Sequence, residues 1–155
     1  MADKRRFDLF AEWVVGRWPD RPRVFDVAGG MGKLNVALTS KGRQVTTFDR
    51  RERNCEPVTY ARRDFTVEEP LGCDVVLGMH PDGATRVIIE YAARHRVPFA
   101  VVPCCSDNGM PYKPWMRHLA ELARERGVPN VEEQTLPMDG RARVIAGWFE
   151  GQRRP

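Results

Sequence analysis

A chain of 155 residues with 42% hydrophobic content can bury one core of ordinary size, which excludes a disordered polymer. No apolar run approaches the roughly 20 residues that span a bilayer, and the start, Met1-Ala-Asp-Lys-Arg-Arg-Phe-Asp8, lacks a secretory apolar segment. A cytoplasmic protein with no membrane partner is therefore expected. The net charge of +4 leaves a nucleic-acid partner open, although 21 acidic residues are interspersed among 21 arginines and 4 lysines.

Residues 4–18 place Phe7, Phe10, Ala11, Val14, Val15 and Trp18 at helical spacing, and Pro19 ends that leading helix. Val24 to Ala28 reads as a short buried strand. Gly29, Gly30 and Gly32 then allow a tight turn into a helix over 33–40, with Gly42 suited to its C-terminal cap. A strand, a glycine turn and a helix start form the usual anion-binding unit of α/β proteins.

The details of the turn separate its possible ligands. A phosphate-cradling loop wants G-x-x-x-x-G-K-[ST], but Leu34 stands where Ser or Thr belongs and Val27 where the first Gly belongs. A dinucleotide site wants G-x-G-x-x-G, and Gly30-Met-Gly32-Lys-Leu-Asn35 lacks the third Gly. Asp26-Val-Ala-Gly-Gly-Met-Gly32 resembles the first motif of class I S-adenosylmethionine (SAM)-dependent methyltransferases, which usually carry Gly where Ala28 stands. The resemblance implies that SAM lies over Ala28, Gly29, Gly30 and Gly32, with its amino-acid end near Asp26.

The strand over 44–49 ends in Asp49, which lies 17 residues after Gly32. A carboxylate at this strand end takes both ribose hydroxyls of an adenosine ligand, with Arg50 beside it. The plainer reading is a polar turn, Asp49-Arg50-Arg51. Residues 50–60 show no apolar periodicity, so the helix usual here is reduced to a loop. Val58 to Ala61 leads into a short third strand ending at Asp64-Phe65. By the same resemblance Asp64 meets the adenine amino group and Phe65 the ring; the alternative is a strand-end Asp and a core Phe.

Cys73 to Met79 reads as a fourth strand buried on both faces, with Met79 placed beside the cofactor. Gly78-Met-His80-Pro-Asp82-Gly-Ala-Thr85 follows. It resembles the His-x-Cys-Gly-x-x-Thr motif of a methyltransferase set that includes transfer-RNA ribose methyltransferases. Here Asp82 replaces the Cys and Thr85 comes one residue early. The resemblance places His80 and Asp82 at the methyl acceptor. His80 fits a general base, a positioning group or a loop-holding hydrogen bond. A helix over 84–95 and a strand over 98–103 follow. Cys104-Cys105 then matches that set's Cys-Cys pair, and with Ser106 and Lys113 these residues are expected to meet the acceptor. They also read as small residues at a strand end. The set's accessory zinc finger has no counterpart.

Cys55, Cys73, Cys104 and Cys105 form no C-x-x-C pair, so reduced thiols and no metal site are expected. Pro114 suits the first turn of a helix ended by Gly127; Lys113, Trp115, Arg117 and His118 there, and Arg141 and Arg143 in the last hairpin, fit either the flanks of an acceptor groove or ordinary solvated faces. Strands over 131–138 and 143–149 are expected to join at Asp139-Gly140, a tight-turn pair.

Strands alternating with helices predict one α/β domain over 1–155. It should be a Rossmann-like, seven-stranded, mostly parallel sheet with helices on both faces and an antiparallel C-terminal hairpin. The function expected is methyl transfer from SAM to RNA, since no inserted lid encloses the cleft. The alternatives are a small-metabolite acceptor, an NAD(P)-dependent oxidoreductase, and a non-catalytic SAM- or RNA-binding module.

Overall fold

The computed structural model describes residues 3–51 and 56–152. Helix α1 (Arg6–Arg17) leads into strand β1 (Arg23–Val27), helix α2 (Lys33–Thr39) and strand β2 (Gln44–Phe48). The two-residue β3 (Tyr60–Ala61) and β4 (Val75–Met79) follow, with no helix among the described residues between β2 and β3. A 3-10 turn (Asp82–Ala84) opens α3 (Thr85–His95), and β5 (Phe99–Val102), α4 (Tyr112–Glu125), β6 (Asn130–Thr135) and β7 (Arg143–Trp148) complete the order. No helix among the described residues is long and apolar enough to cross a membrane.

The strands form one seven-stranded sheet in the order β3-β2-β1-β4-β5-β7-β6. The first five are parallel neighbours, while β7 runs antiparallel between β5 and β6. The sequence-based expectation of an α/β sheet closed by an antiparallel pair is met. The connection between β6 and β7 differs from expectation. Thr135 pairs with Arg143, and the Leu136 N–H donates to the Ala142 carbonyl at 2.8 Å. Asp139-Gly140 therefore sits inside a wider loop rather than forming the whole turn. Leu136 and Ala142 are buried, so their burial fixes where the strands separate.

Strand alternation divides the core between the two sheet faces. Val24 of β1, Val75, Leu77 and Met79 of β4, and Ala100 and Val102 of β5 pack with Phe10, Val14, Leu34 and Leu38 of α1 and α2. Phe25, Val76, Phe99 and Val101 pack on the other face with Ile88, Tyr91, Trp115 and Leu119 of α3 and α4. The leading helix thus covers a sheet face, and none of its residues lines the cavity described below. The central strands β4 and β5 are buried along their whole length, as strands covered on both sides require, whereas the edge strands β3 and β6 are only partly buried.

Candidate ligand site at the carboxyl ends of the strands

Parallel strands leave their last residues at one rim, where the following loops build a cleft. Here that cleft is a cavity of about 510 Å³, within the roughly 300–1,000 Å³ usual for small-molecule sites. Ala28 after β1, Asp49 and Arg50 after β2, Asp64 and Phe65 after β3, and Asp82 after β4 all line it. Arg51, Arg63 and Val87, which the sequence does not single out for a ligand, line it too.

The glycine turn is bound to the end of β2. The Ala28 N–H donates to the Phe48 carbonyl at 2.7 Å, and the Gly30 N–H to Asp49 Oδ2 at 3.0 Å. The hydroxyl of Tyr60 donates to the Gly30 carbonyl, so edge strand β3 also grips the turn. Ala28, Gly30 and Gly32 all have positive φ, at 56°, 60° and 85°. The left-handed backbone at position 28 explains why a glycine suits it and why Ala, with the smallest Cβ, is strained there.

Asp49 is more engaged than a strand-end carboxylate awaiting a ligand would be. Besides Gly30, it accepts from the Arg51 backbone N–H at 3.0 Å and from Arg51 Nη2 at 2.8 Å. Burial pushes its carboxyl up, but these hydrogen bonds outweigh burial and bring it down to about 2. The Arg51 guanidinium also reaches Asp82 Oδ2 at 3.5 Å. It bridges two carboxylates across the cavity, so a diol at Asp49 has to displace it.

Asp26 is fully buried on β1 behind the turn. Its Oδ2 accepts from the Thr47 hydroxyl at 2.9 Å, while Oδ1 has no hydrogen-bond partner. Burial, with Asp49 nearby, pushes its pKa up to about 7. The unfolded chain ionises near 3.8, so this group favours the fold most below that pH. Its contribution falls as pH rises toward 7, because only the unfolded chain has yet released the proton. Asp26→Asn removes that titration. The variant should gain melting temperature over the parent at pH 8 and little at pH 4.5. Equal shifts at both pH values would rule out a buried, neutral-leaning Asp26.

Phe65 both lines the cavity and belongs to the core. Its ring meets Phe48 and Tyr91 edge-on at 5.1 and 4.8 Å. Asp64 is exposed and pairs with Arg50 at 3.7 Å. Met79, expected beside a cofactor, is buried under α1 and α2. Of the turn residues expected at the cofactor, Ala28 lines the cavity, whereas Gly29, Gly30 and Gly32 do not.

His80 lies just beyond β4 with φ at 47°. Its Nε2 is 3.1 Å from the Arg141 carbonyl oxygen. A carbonyl only accepts, so Nε2 carries the proton and Nδ1 is the acceptor. Burial pushes its pKa below the ordinary value, which keeps the ring neutral at pH 7. The imidazole thus ties the β6–β7 loop to the end of β4. Cys104 and Cys105 follow β5 with their sulfurs 3.7 Å apart. Ser106 is partly exposed and Lys113 fully so, the latter on the first turn of α4. Arg141 stacks over the Tyr112 ring at 3.8 Å, next to His80.

No protein-family model matches the chain. A 65-residue stretch, 42% of the chain, is 28% identical to "Putative methyltransferase YqeM" of Bacillus subtilis (strain 168), of which it spans only 25%. Among solved structures, the N-terminal domain of EvdMO1 with SAH bound superposes with a TM-score of 0.65 at 14% identity, over 96% of this chain and 83% of that one. Human N-acetylserotonin methyltransferase in complex with SAM gives 0.60 at 17% identity, over 92% of this chain and 50% of that one. With the sheet order and antiparallel β7 described above, these superpositions show that the chain has the class I SAM-dependent methyltransferase fold.

Proposed function

We propose that the protein is a SAM-dependent methyltransferase, with the cofactor in the cavity between the glycine turn and Asp82. One observation carries this reading: a buried carboxylate, Asp49, ends β2 and is hydrogen-bonded to the glycine turn at Gly30. It stands where an adenosine ribose would meet it, with Phe65 and Val87 as apolar walls for a base. Asp64 offers the acceptor for an adenine amino group, and Ala28, which lines the cavity at the start of the glycine turn, marks where the methionine part would pass. Calorimetric titration tests this. Saturable binding of SAM and S-adenosylhomocysteine is expected; binding of NADH alone would replace the reading with a dinucleotide-dependent oxidoreductase.

The acceptor proposed is RNA. Lys113, Arg117, Arg141 and Arg143 are exposed, and Arg141 with Tyr112 flanks His80, a pairing of charge and aromatic face suited to bases and phosphates. Radiolabelled methyl transfer into fractionated extract, followed by nuclease or protease digestion, identifies the acceptor class. Label resistant to both and of low mass would favour a metabolite, a reading supported by the small acceptor named for human N-acetylserotonin methyltransferase.

In methyl transfer the chain's own task is to align donor and acceptor in a site that excludes water. SAM supplies the electrophilic methyl group. His80, neutral and held by the Arg141 carbonyl, offers Nδ1 to an acceptor proton. His80→Ala should leave the calorimetric affinity for S-adenosylhomocysteine unchanged and lower kcat by roughly 10²-fold or more. Weakened cofactor binding with kcat intact would remove His80 from the acceptor side.

A further inference from the structure

We propose that Asp82, Cys104 and Cys105 bind a zinc-class divalent cation with one coordination position left open. The strands β4 and β5 are parallel neighbours with Met79 opposite Val102, and the His80 N–H donates to the Val102 carbonyl at 2.9 Å. The segments leaving them therefore start at the same level, which brings Asp82 and the two cysteines together. One ligand atom from each of the three lies within 4.8 Å of the others.

The spacing suits a tetrahedral ion. Two thiolates each at about 2.3 Å from such an ion lie about 3.8 Å apart. The two sulfurs are 3.7 Å apart. An Asp82 carboxylate oxygen lies within 4.8 Å of both sulfurs on the third side, and the carboxylate is largely exposed and pairs with Arg51 at 3.5 Å. Two soft thiolates select zinc-class ions over magnesium or calcium. Three protein ligands leave a fourth position for water or a ligand heteroatom, the pattern of open rather than structural zinc sites. A search for C-x-x-C spacing misses this cluster because it is assembled from two strand ends. The open position would lie on the acceptor side of the cavity, a role that rests on the methyl-transfer reading; cation binding itself does not.

The test titrates reduced, metal-stripped protein with Co²⁺ and reads the absorption spectrum. Expected are a thiolate-to-cobalt charge-transfer band and tetrahedral d–d bands that saturate at one equivalent and vanish on adding Zn²⁺. Cys104→Ser/Cys105→Ser should abolish the charge-transfer band. Asp82→Asn should weaken Co²⁺ binding at least roughly tenfold, since a direct ligand matters no less than the outer-shell partners whose loss costs that much. Cys105 is exposed, so the single variant Cys105→Ser, with circular dichroism as a folding check, serves if the double variant does not fold. No stoichiometric band in the reduced parent, or a band unchanged in the cysteine variants, overturns the site. Calorimetry with S-adenosylhomocysteine on the same parent protein separates the two proposals. Cofactor binding without Co²⁺ binding sinks only the metal site, and the converse sinks only the methyltransferase reading.

Discussion

Asp49→Ala is expected to weaken S-adenosylhomocysteine binding by about 1.5–3 kcal/mol, the worth of hydrogen bonds to a charged group. The loss has two sources. On the proposed cofactor placement the ribose hydroxyls would lose their acceptor, and the Gly30 N–H loses the carboxylate that fixes the turn at 3.0 Å. Asp49→Asn separates them, because its side-chain oxygen can still take the Gly30 N–H while the charge is gone. An affinity unchanged in the alanine variant would remove Asp49 from the cofactor site. The same carboxylate has a stability signature. Its pKa, lowered from 3.8 to about 2, means that it supports the fold above pH 4 and loses that support as pH falls toward 2. Urea melts of parent and Asp49→Asn should therefore converge at pH 2 and diverge at pH 7.

Gly29→Ala should be the most destabilising single change at the turn, by about 3–5 kcal/mol. A Cβ built at position 29 falls 2.2 Å from Asp26 Oδ2 and 2.6 Å from Thr47 Cγ2. Both side chains are buried between β1 and β2, so neither can retreat into solvent. Moving them breaks the Thr47–Asp26 hydrogen bond and leaves the buried Asp26, already unpaired at Oδ1, without that bond at Oδ2 as well. Overpacking costs about 1–3 kcal/mol and an unsatisfied buried polar group about as much again. Gly16→Ala is the matched control, since nothing lies within 4 Å of its Cβ and the residue is helical. It should hold or raise stability by up to about 1 kcal/mol. Urea unfolding of both variants checks the pair; similar midpoints would mean that the turn has room for a side chain.

Much of this architecture is legible in the sequence because it rests on local periodicity. The fully apolar centre of β4 could only be a strand covered on both faces, and the helical spacing of Trp115, Met116 and Leu119 could only face a core. Asp49 is legible too, since its place at a strand end follows from the alternation before it. Arg51 is not. From beside Asp49 its side chain reaches across the cavity to Asp82, 31 positions after Arg51 itself, and no local pattern encodes that reach. Tyr60 is likewise visible as a strand residue but not as the group that grips Gly30, 30 positions away. The Asp139-Gly140 pair misleads for the opposite reason: its turn preference is local, while the burial of Leu136 and Ala142 sets the loop's length. Of the stretch over 50–60 that reads as a loop, residues 52–55 lie outside the described residues.

Ala28, His80 and Asp82 hold left-handed backbone with φ of 56°, 47° and 49°, and all three sit where β1 and β4 give way to the cavity. Left-handed backbone costs an L-residue about 1–2 kcal/mol, beside a net stability of about 5–15 kcal/mol for an ordinary domain. Glycine at any of the three would relax the chain and delete a side chain at the same stroke. Heat tolerance and ligand handling are thus opposed at these positions. A laboratory selection for thermal resistance alone should drift toward glycine there, whereas a selection that also demands turnover should retain His80 and Asp82 and find its stabilising changes on the far side of the sheet.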